Sequence, residues 1–384
     1  MASTRSRLDE IVASFATMED PRSHINRRHP LPSVLVIAVL AVLAGAAGPT
    51  AIAQWAECKA ELLIGLLDLP HGIPGKDVFR RVLMLIKPEA FGDAFNAWIA
   101  HLRGEAAAEA GVDRPIIAID GKTSRRSHDA TNGLGALHVV TAWAGELGLA
   151  LGPQACAEKS NEIAAIPELL QKIDVKGGIV TIDAMGTQKA IAASVIGGDA
   201  DYVLALKRNQ EAMHAAVIAH IDERLEGDLE DARELTTTDR GHGRHEERTY
   251  LQLPAPEGLP GKADWKALKS VGVVTSVRKE GDKESVEVRY YLSSLAVDVE
   301  LFARAVRGHW SVENACHWSL DVTFREDDSR IRERVLGNNI NWLYRFTLSI
   351  LKQHPDRRRS LIMKRRCCGW SEKFLMEVID ALVC

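Results

Sequence analysis

The chain has 384 residues, 46% of them hydrophobic and 26% charged, enough apolar material for a sizeable core in two or three domains. Its formal net charge of −4 gives no global sign of a nucleic-acid partner, but the charge is unevenly placed. From Ser329 to Arg366, eleven Lys or Arg stand against Glu333 and Asp356 alone, a net of +9 that keeps a polyanion partner open. The six cysteines are scattered without a CxxC pair or metal-ligand spacing, as reduced thiols of a cytoplasmic protein would be.

Residues 1–20 are polar and acidic, unlike a signal peptide. Ser33 to Gly48 is almost wholly apolar but only sixteen residues long, and a spanning helix needs about twenty, so a buried helix is expected and no membrane partner. Ser33 is the expected cap of that helix and Thr50 of the next, which runs through Ile52, Trp55, Leu62, Leu63 and Leu66. After the turn at His71–Gly75, Lys76 to Leu85 returns to helix, with Arg80 and Arg81 off its apolar face. Residues 1–110 therefore read as an all-helical domain. It is either a helix-turn-helix DNA reader or an ordinary helical domain packed on its neighbour.

From residue 113 strands alternate with helices. Ile116–Ile119 is an apolar strand that should end at Asp120, with Gly121 turning the chain and Lys122, Arg125 and Arg126 following. Leu137–Trp143 and Leu149–Leu151 flank a hairpin turn. Asn161–Ile173 is mostly helical, with Ile163, Ile166, Leu169 and Leu170 inward, and Pro167 should kink it or start a second helix there. Ile179–Ile182 is a second buried strand ending in Asp183, and Tyr202–Leu206 leads into Lys207, Arg208 and Asn209. Strand, hairpin, helix, strand, helix, strand is the order of an RNase H-like fold. In that order the first and fourth strands can lie side by side, bringing Asp120 and Asp183 within reach of one metal pair.

The expected divisions are 1–110, 111–224 for the first part of the α/β core, 225–300 for a β-rich insertion, and 301–384 for the rest of the core with a basic tail. In the insertion, His242 and His245 could ligate a metal, but an exposed polar loop is the simpler reading. In the last segment His309, Glu313 and His317 recur at four-residue spacing, one side of a helix. That is not the His-Glu-x-x-His of zinc hydrolases, and Glu313 fits better as a third carboxylate beside two aspartates. Asp321, Glu326, Asp327 and Asp328 are rival acids, the last two read as a cap or turn.

Five motifs in order carry a resemblance: Ile119-Asp-Gly-Lys122, Glu158-Lys-Ser-Asn-Glu162, Thr181-Ile-Asp-Ala184, Leu206-Lys-Arg-Asn209, and His309-Trp-Ser-Val-Glu-Asn314 with His317–Phe324. From about residue 10 onward the chain resembles DDE-type insertion-sequence transposases, similar to the H-repeat-associated group. The resemblance implies a triad of Asp120, Asp183 and Glu313 holding two Mg²⁺ or Mn²⁺ ions, Asp120 bridging them and the other two holding one each. Related groups carry an Arg four residues before the glutamate and a Lys seven after. Here those positions are His309 and Leu320, so Lys122, Lys207 or Arg307 would contact phosphates instead.

Arg208, His309 and His317 complete the expected DNA-contacting set around the site. Arg357, Arg358 and Arg359, in a basic block with Trp342 and Tyr344 interleaved, are expected on the DNA backbone or on a solvated helical face. The implied partners are double-stranded DNA, as element ends and as target, and a second copy of the chain. The implied place is a bacterial cytoplasm, at the nucleoid during action. Two other functions share these residues: an RNase H-like nuclease without strand transfer, and an inactive DNA-binding relic.

Overall fold

The structure is a computed structural model that describes residues 4–156, 162–227, 230–241 and 243–381. In chain order it begins with six helices: α1 (Thr4–Ala16), α2 (Leu31–Leu43), α3 (Pro49–Cys58), α4 (Ala60–Leu66), α5 (Lys76–Leu85) and α6 (Pro88–Ala110). Next come β1 (Ile116–Ser124), the hairpin β2 (Leu137–Ala144) and β3 (Leu149–Cys156), then α7 (Glu162–Lys172), β4 (Ile179–Ile182), α8 (Lys189–Gly197) and β5 (Asp201–Leu206). Helix α9 (Glu211–Glu226) leads to four long strands, β6 (Arg233–Gly241), β7 (Arg244–Pro254), β8 (Ser270–Glu280) and β9 (Lys283–Ser293). The chain ends with α10 (Val299–His309), α11 (Trp318–Val322), α12 (Arg334–Gln353), α13 (Leu361–Trp370) and α14 (Glu372–Asp380). The fold is α/β, an RNase H-like core with a β-rich insertion after a helical leader.

Two compact units divide the chain, and neither is one continuous segment. The first comprises Met1–Val112, Gly121–Ala165 and Glu313–Cys384. Its centre is α12, buried along most of its length. Trp342 stacks on Phe95 with centroids 5.8 Å apart, and Phe346 packs against Phe95 and Trp98 at 4.2 and 4.5 Å. Helix α2 is apolar on every side and buried on every side, as a helix without a polar face must be. No described helix is long and apolar enough to cross a membrane. The 1–110 leader thus shares its core with α12.

The second unit comprises Asp113–Asp120 and Ile166–Val312. Its strand order is β1-β4-β5-β9-β8-β7-β6, with β1, β4 and β5 parallel and the rest joined antiparallel. Helix α10 packs on this sheet through Val299, Phe302, Ala303 and Val306, against Ile116, Ile179, Val203 and Tyr250. In the first unit the order is β3-β2-β1. Strand β1 contributes to both.

Several local expectations give way. Ser33 lies inside α2, which starts after Pro30, and its hydroxyl donates to Asp68 O at 2.8 Å. Gly48 and Pro49 start α3, leaving Thr50 within it. Ile163 faces solvent on α7, although Ile166, Leu169 and Leu170 are buried, and Pro167 sits inside that helix. Within the β-rich insertion, β6 (Arg233–Gly241) is a strand of mixed polar sequence that no apolar run marks. Above all, β1 does not stop at Asp120 but runs on to Ser124.

Candidate active site

Strands β1 and β4 pair in parallel, with Ile119 opposite Ile182. Asp120 continues β1 and Asp183 follows directly on the end of β4, so the register brings two carboxylate-bearing residues to neighbouring positions at the end of strands about 4.8 Å apart. Both are half-buried. Asp183 stands where β4 ends, and its Oδ1 accepts backbone N–H bonds from Met185 and Gly186 at 3.0 and 3.1 Å. That turn fixes the carboxyl orientation and leaves the other oxygen outside these bonds. The turn is braced in turn: Asn209 Nδ2 donates to Ala184 O at 2.6 Å, and the Thr187 hydroxyl to Asp183 O at 3.1 Å. The Lys207-Arg208-Asn209 motif therefore splits its labour, with Asn209 holding the Asp183 turn and Lys207 and Arg208 exposed at the carboxyl end of β5.

His309, at the end of α10, lies on the same sheet: its Nδ1 is 3.1 Å from Thr181 Oγ1, two residues before Asp183. Gly308 permits this close approach, since a Cβ there would stand 2.8 Å from Ile116 Cγ2. Burial holds the imidazole below its usual pKa even though the Asp183 charge works the other way, so it is neutral at pH 7. Arg307 is turned to Asp239 of β6 at 3.5 Å, an aspartate that also pairs with Arg248.

Glu313 belongs to the first unit and is exposed on a π-helical turn, Val312–His317. Four-residue spacing marks one face of an α-helix only; the wider turn separates the three residues. His317 is buried, its pKa driven down to about 3 by burial and by the Arg345 charge, so it is not presented on a face with Glu313. A turn of this kind is itself frequent at functional sites. The rival acids have other work. Lys122 Nζ, 8% exposed, meets Asp321 Oδ1 at 2.7 Å, Asp327 Oδ1 at 2.8 Å and Glu326 Oε2 at 3.4 Å. Glu326 is 0% exposed and is also held by Arg345 Nη1 at 2.7 Å. Burial alone would raise its pKa, but Arg345 and Lys122 together keep the carboxyl below its ordinary range.

On the opposite strand face from Asp120, Gly121 rests against a pair of which the sequence reading quoted Glu162, as the end of a motif, but not His138. His138 Nε2 and Glu162 Oε1 are 2.5 Å apart, and His138 Nδ1 is 2.7 Å from Thr123 Oγ1. A Cβ at Gly121 would lie 2.6 Å from His138 Nε2 and closer still to the Glu162 carboxyl. Gly121 is therefore a close-approach glycine within a strand, not a turn. The rest of that motif, Glu158 to Asn161, lies outside the described residues, as does His242.

The basic block divides. Arg345, Lys364 and Arg365 are buried, the last donating to Val42 O, Thr323 O and Ala46 O. Trp342 and Tyr344 lie in the core, unavailable for stacking on bases. Arg330, Arg332, Arg357, Arg358, Arg359 and Arg366 are exposed, with Arg359 paired to Asp356.

A transposase DDE domain family matches residues 111–351, and a family described as DDE_Tnp_1-associated matches residues 12–99. Among relatives, the transposase candidate YncI of Escherichia coli O157:H7 is 36% identical over 98% of this chain and 95% of its own. The H repeat-associated transposase candidate YhhI of Escherichia coli K12 is 34% identical over 97% and 98%.

The chain belongs to the DDE transposases, in the H-repeat-associated group.

An uncharacterised protein from the dhlA 3′ region of Xanthobacter autotrophicus shares 38% identity with this transposase, over 74% of its chain and 94% of the relative. Among solved structures, a piggyBac transposase synaptic complex with hairpin DNA aligns over 98% of this chain and 77% of its own, at 10% identity and TM-score 0.35, a likeness too slight to carry an argument. DDE transposases use divalent metal, and the donor chemistry suits it: two aspartate carboxylates at one register, one of them already oriented, are hard oxygen ligands. Among the described residues no set of three His, Cys, Asp or Glu is gathered to hold an ion.

Proposed function

We propose that this transposase cuts DNA at the ends of its insertion sequence and joins the freed 3′-hydroxyl to target DNA, with Asp120, Asp183 and Glu313 as metal-holding carboxylates. The observation that carries the reading is the parallel β1–β4 register, which sets Asp120 beside Asp183. Mg²⁺ or Mn²⁺ held there would activate the attacking hydroxyl and stabilise the leaving oxygen. The chain's own groups do the rest. The Met185 and Gly186 amides hold the Asp183 carboxyl in one orientation. Neutral His309, anchored to Thr181, keeps Nε2 as its remaining hydrogen-bonding atom for a phosphate oxygen. Lys207 and Arg208, exposed next along the sheet, supply charge to the DNA backbone, as do Arg357, Arg358 and Arg359. Action as a dimer on two ends, within a bacterial cytoplasm, belongs to the same reading.

The test is cleavage of labelled duplex carrying the terminal repeats, with Mg²⁺, Mn²⁺ or EDTA, by the wild type and by Asp120→Ala and Glu313→Gln. Metal-dependent cutting lost at least about 100-fold in both variants, with end binding retained, is expected. Cutting by Asp120→Ala at the wild-type rate would overturn the site. Cutting without joining would leave a nuclease, and binding without cutting an inactive relic.

A further inference from the structure

The lysine of the Asp-Gly-Lys motif is placed against carboxylates, not towards open solvent. It follows Asp120 by two residues on β1, so the two side chains leave the same strand face. Its ammonium is enclosed by Asp321, Asp327 and Glu326 at 2.7, 2.8 and 3.4 Å. A compact point charge with three donors can meet three carboxylates from different directions, where a planar guanidinium could not. With those donors engaged and acids around it, the group offers little to a phosphate oxygen, which the same acids would repel.

The carboxylates it meets are not scattered. Asp321 lies on α11, which continues directly from the π-helical turn that carries Glu313. Glu326 and Asp327 lie on the short 3-10 turn just after it. Glu326 is shared with Arg345 of α12, whose Nε donates to Thr141 of β2 at 2.9 Å. One ammonium thus draws the segment after Glu313 onto the second half of β1.

We infer that Lys122 is a positioning residue, fastening the Glu313-bearing segment to the strand that carries Asp120, and not a phosphate ligand. This rests on the reading of Asp120 and Glu313 as metal-holding carboxylates. Its consequence is a separation of effects: loss of the ammonium disturbs metal binding and the chemical step while DNA binding is spared.

The experiment uses the full chain with Lys122→Met and Asp321→Asn, on duplex carrying the terminal repeats. Three quantities are read: end affinity with its salt slope, cleavage rate at saturating DNA, and the Mn²⁺ concentration for half-maximal rate. For Lys122→Met, affinity and slope should match the wild type, the rate should fall about 100-fold, and half-maximal Mn²⁺ should rise about 10-fold or more. Asp321→Asn keeps the shape and leaves two acids on the ammonium, so it should move rate and Mn²⁺ the same way by several-fold. It decides the matter if Lys122→Met does not fold.

A salt slope lowered by about one with weakened binding would make Lys122 a phosphate contact and overturn the inference. Wild-type rate and Mn²⁺ dependence in Asp321→Asn would overturn it as well. Glu313→Gln, run beside them, separates the two levels. An inactive Glu313→Gln with wild-type Lys122→Met and Asp321→Asn sinks only the role of Lys122; a fully active Glu313→Gln sinks the site reading and this inference with it.

Discussion

Gly121 shows how one residue type serves two readings. The motif suggests a turn after a catalytic aspartate, and glycine is what a turn would need. In the fold β1 continues through it, and the missing Cβ makes room for the His138–Glu162 pair, with His138 2% and Glu162 6% exposed. Gly121→Ala should therefore destabilise by roughly 1–3 kcal/mol, the range for overpacking a filled interior, because both groups it would strike are hydrogen-bonded in place. Urea unfolding of the variant against wild type measures it, and an unchanged midpoint would mean that the pair swings aside. Asp120 and Asp183 were legible because each ends an apolar run. The His138–Glu162 pairing was not, because its members come from two later elements that only the fold brings into direct contact beside Gly121.

At the level of elements, periodicity located α2, α3, α5, α7 and the buried strands β1, β2, β4 and β5, but it set no bounds for α6 or α12 and failed where the helical repeat itself changes. The π-helical turn leaves Glu313 exposed and His317 buried, a split that no four-residue count reveals. His317 then carries a pH signature. Its folded pKa of about 3 lies below the usual 6.5, so the unfolded chain takes up a proton that the native chain refuses between those values. Stability from this residue is complete above pH 6.5 and drains away as pH falls, by about 1.4 kcal/mol per pH unit. His317→Gln should flatten the fall in unfolding free energy between pH 6 and about 4; a slope identical to wild type would remove His317 as its source. The basic block was misread for a related reason. Charge counting sees Arg345 and Arg365 as it sees Arg358, and only packing shows that the first two are tied to Glu326 and to backbone carbonyls.

For the molecule as a whole, the exposed cations that remain are the ones a DNA backbone would meet under the proposed function. Arg357, Arg358 and Arg359 sit together between α12 and α13, and phosphate contacts made by all three should appear in the salt slope. Replacing them by alanine should lower the slope of log affinity against log salt by about two to three, since each phosphate neutralised contributes about 0.9. Fluorescence titrations of duplex at several salt concentrations would show it, and an unchanged slope would exclude this loop from the interface. The net charge of −4 gave no such forecast; the local excess of cations did point to these three arginines, and only the fold separates them from the buried cations of the same block.

The discontinuous make-up of the two units has a consequence for how a shortened chain would fold. The first unit draws on both ends of the chain, and its central helix, α12, begins only at Arg334. During synthesis the leader helices can pack on one another, but the apolar faces they turn to α12 stay unmatched until α12 itself has been made. A chain cut short anywhere upstream of α12 therefore leaves the leader without the helix at the centre of its core.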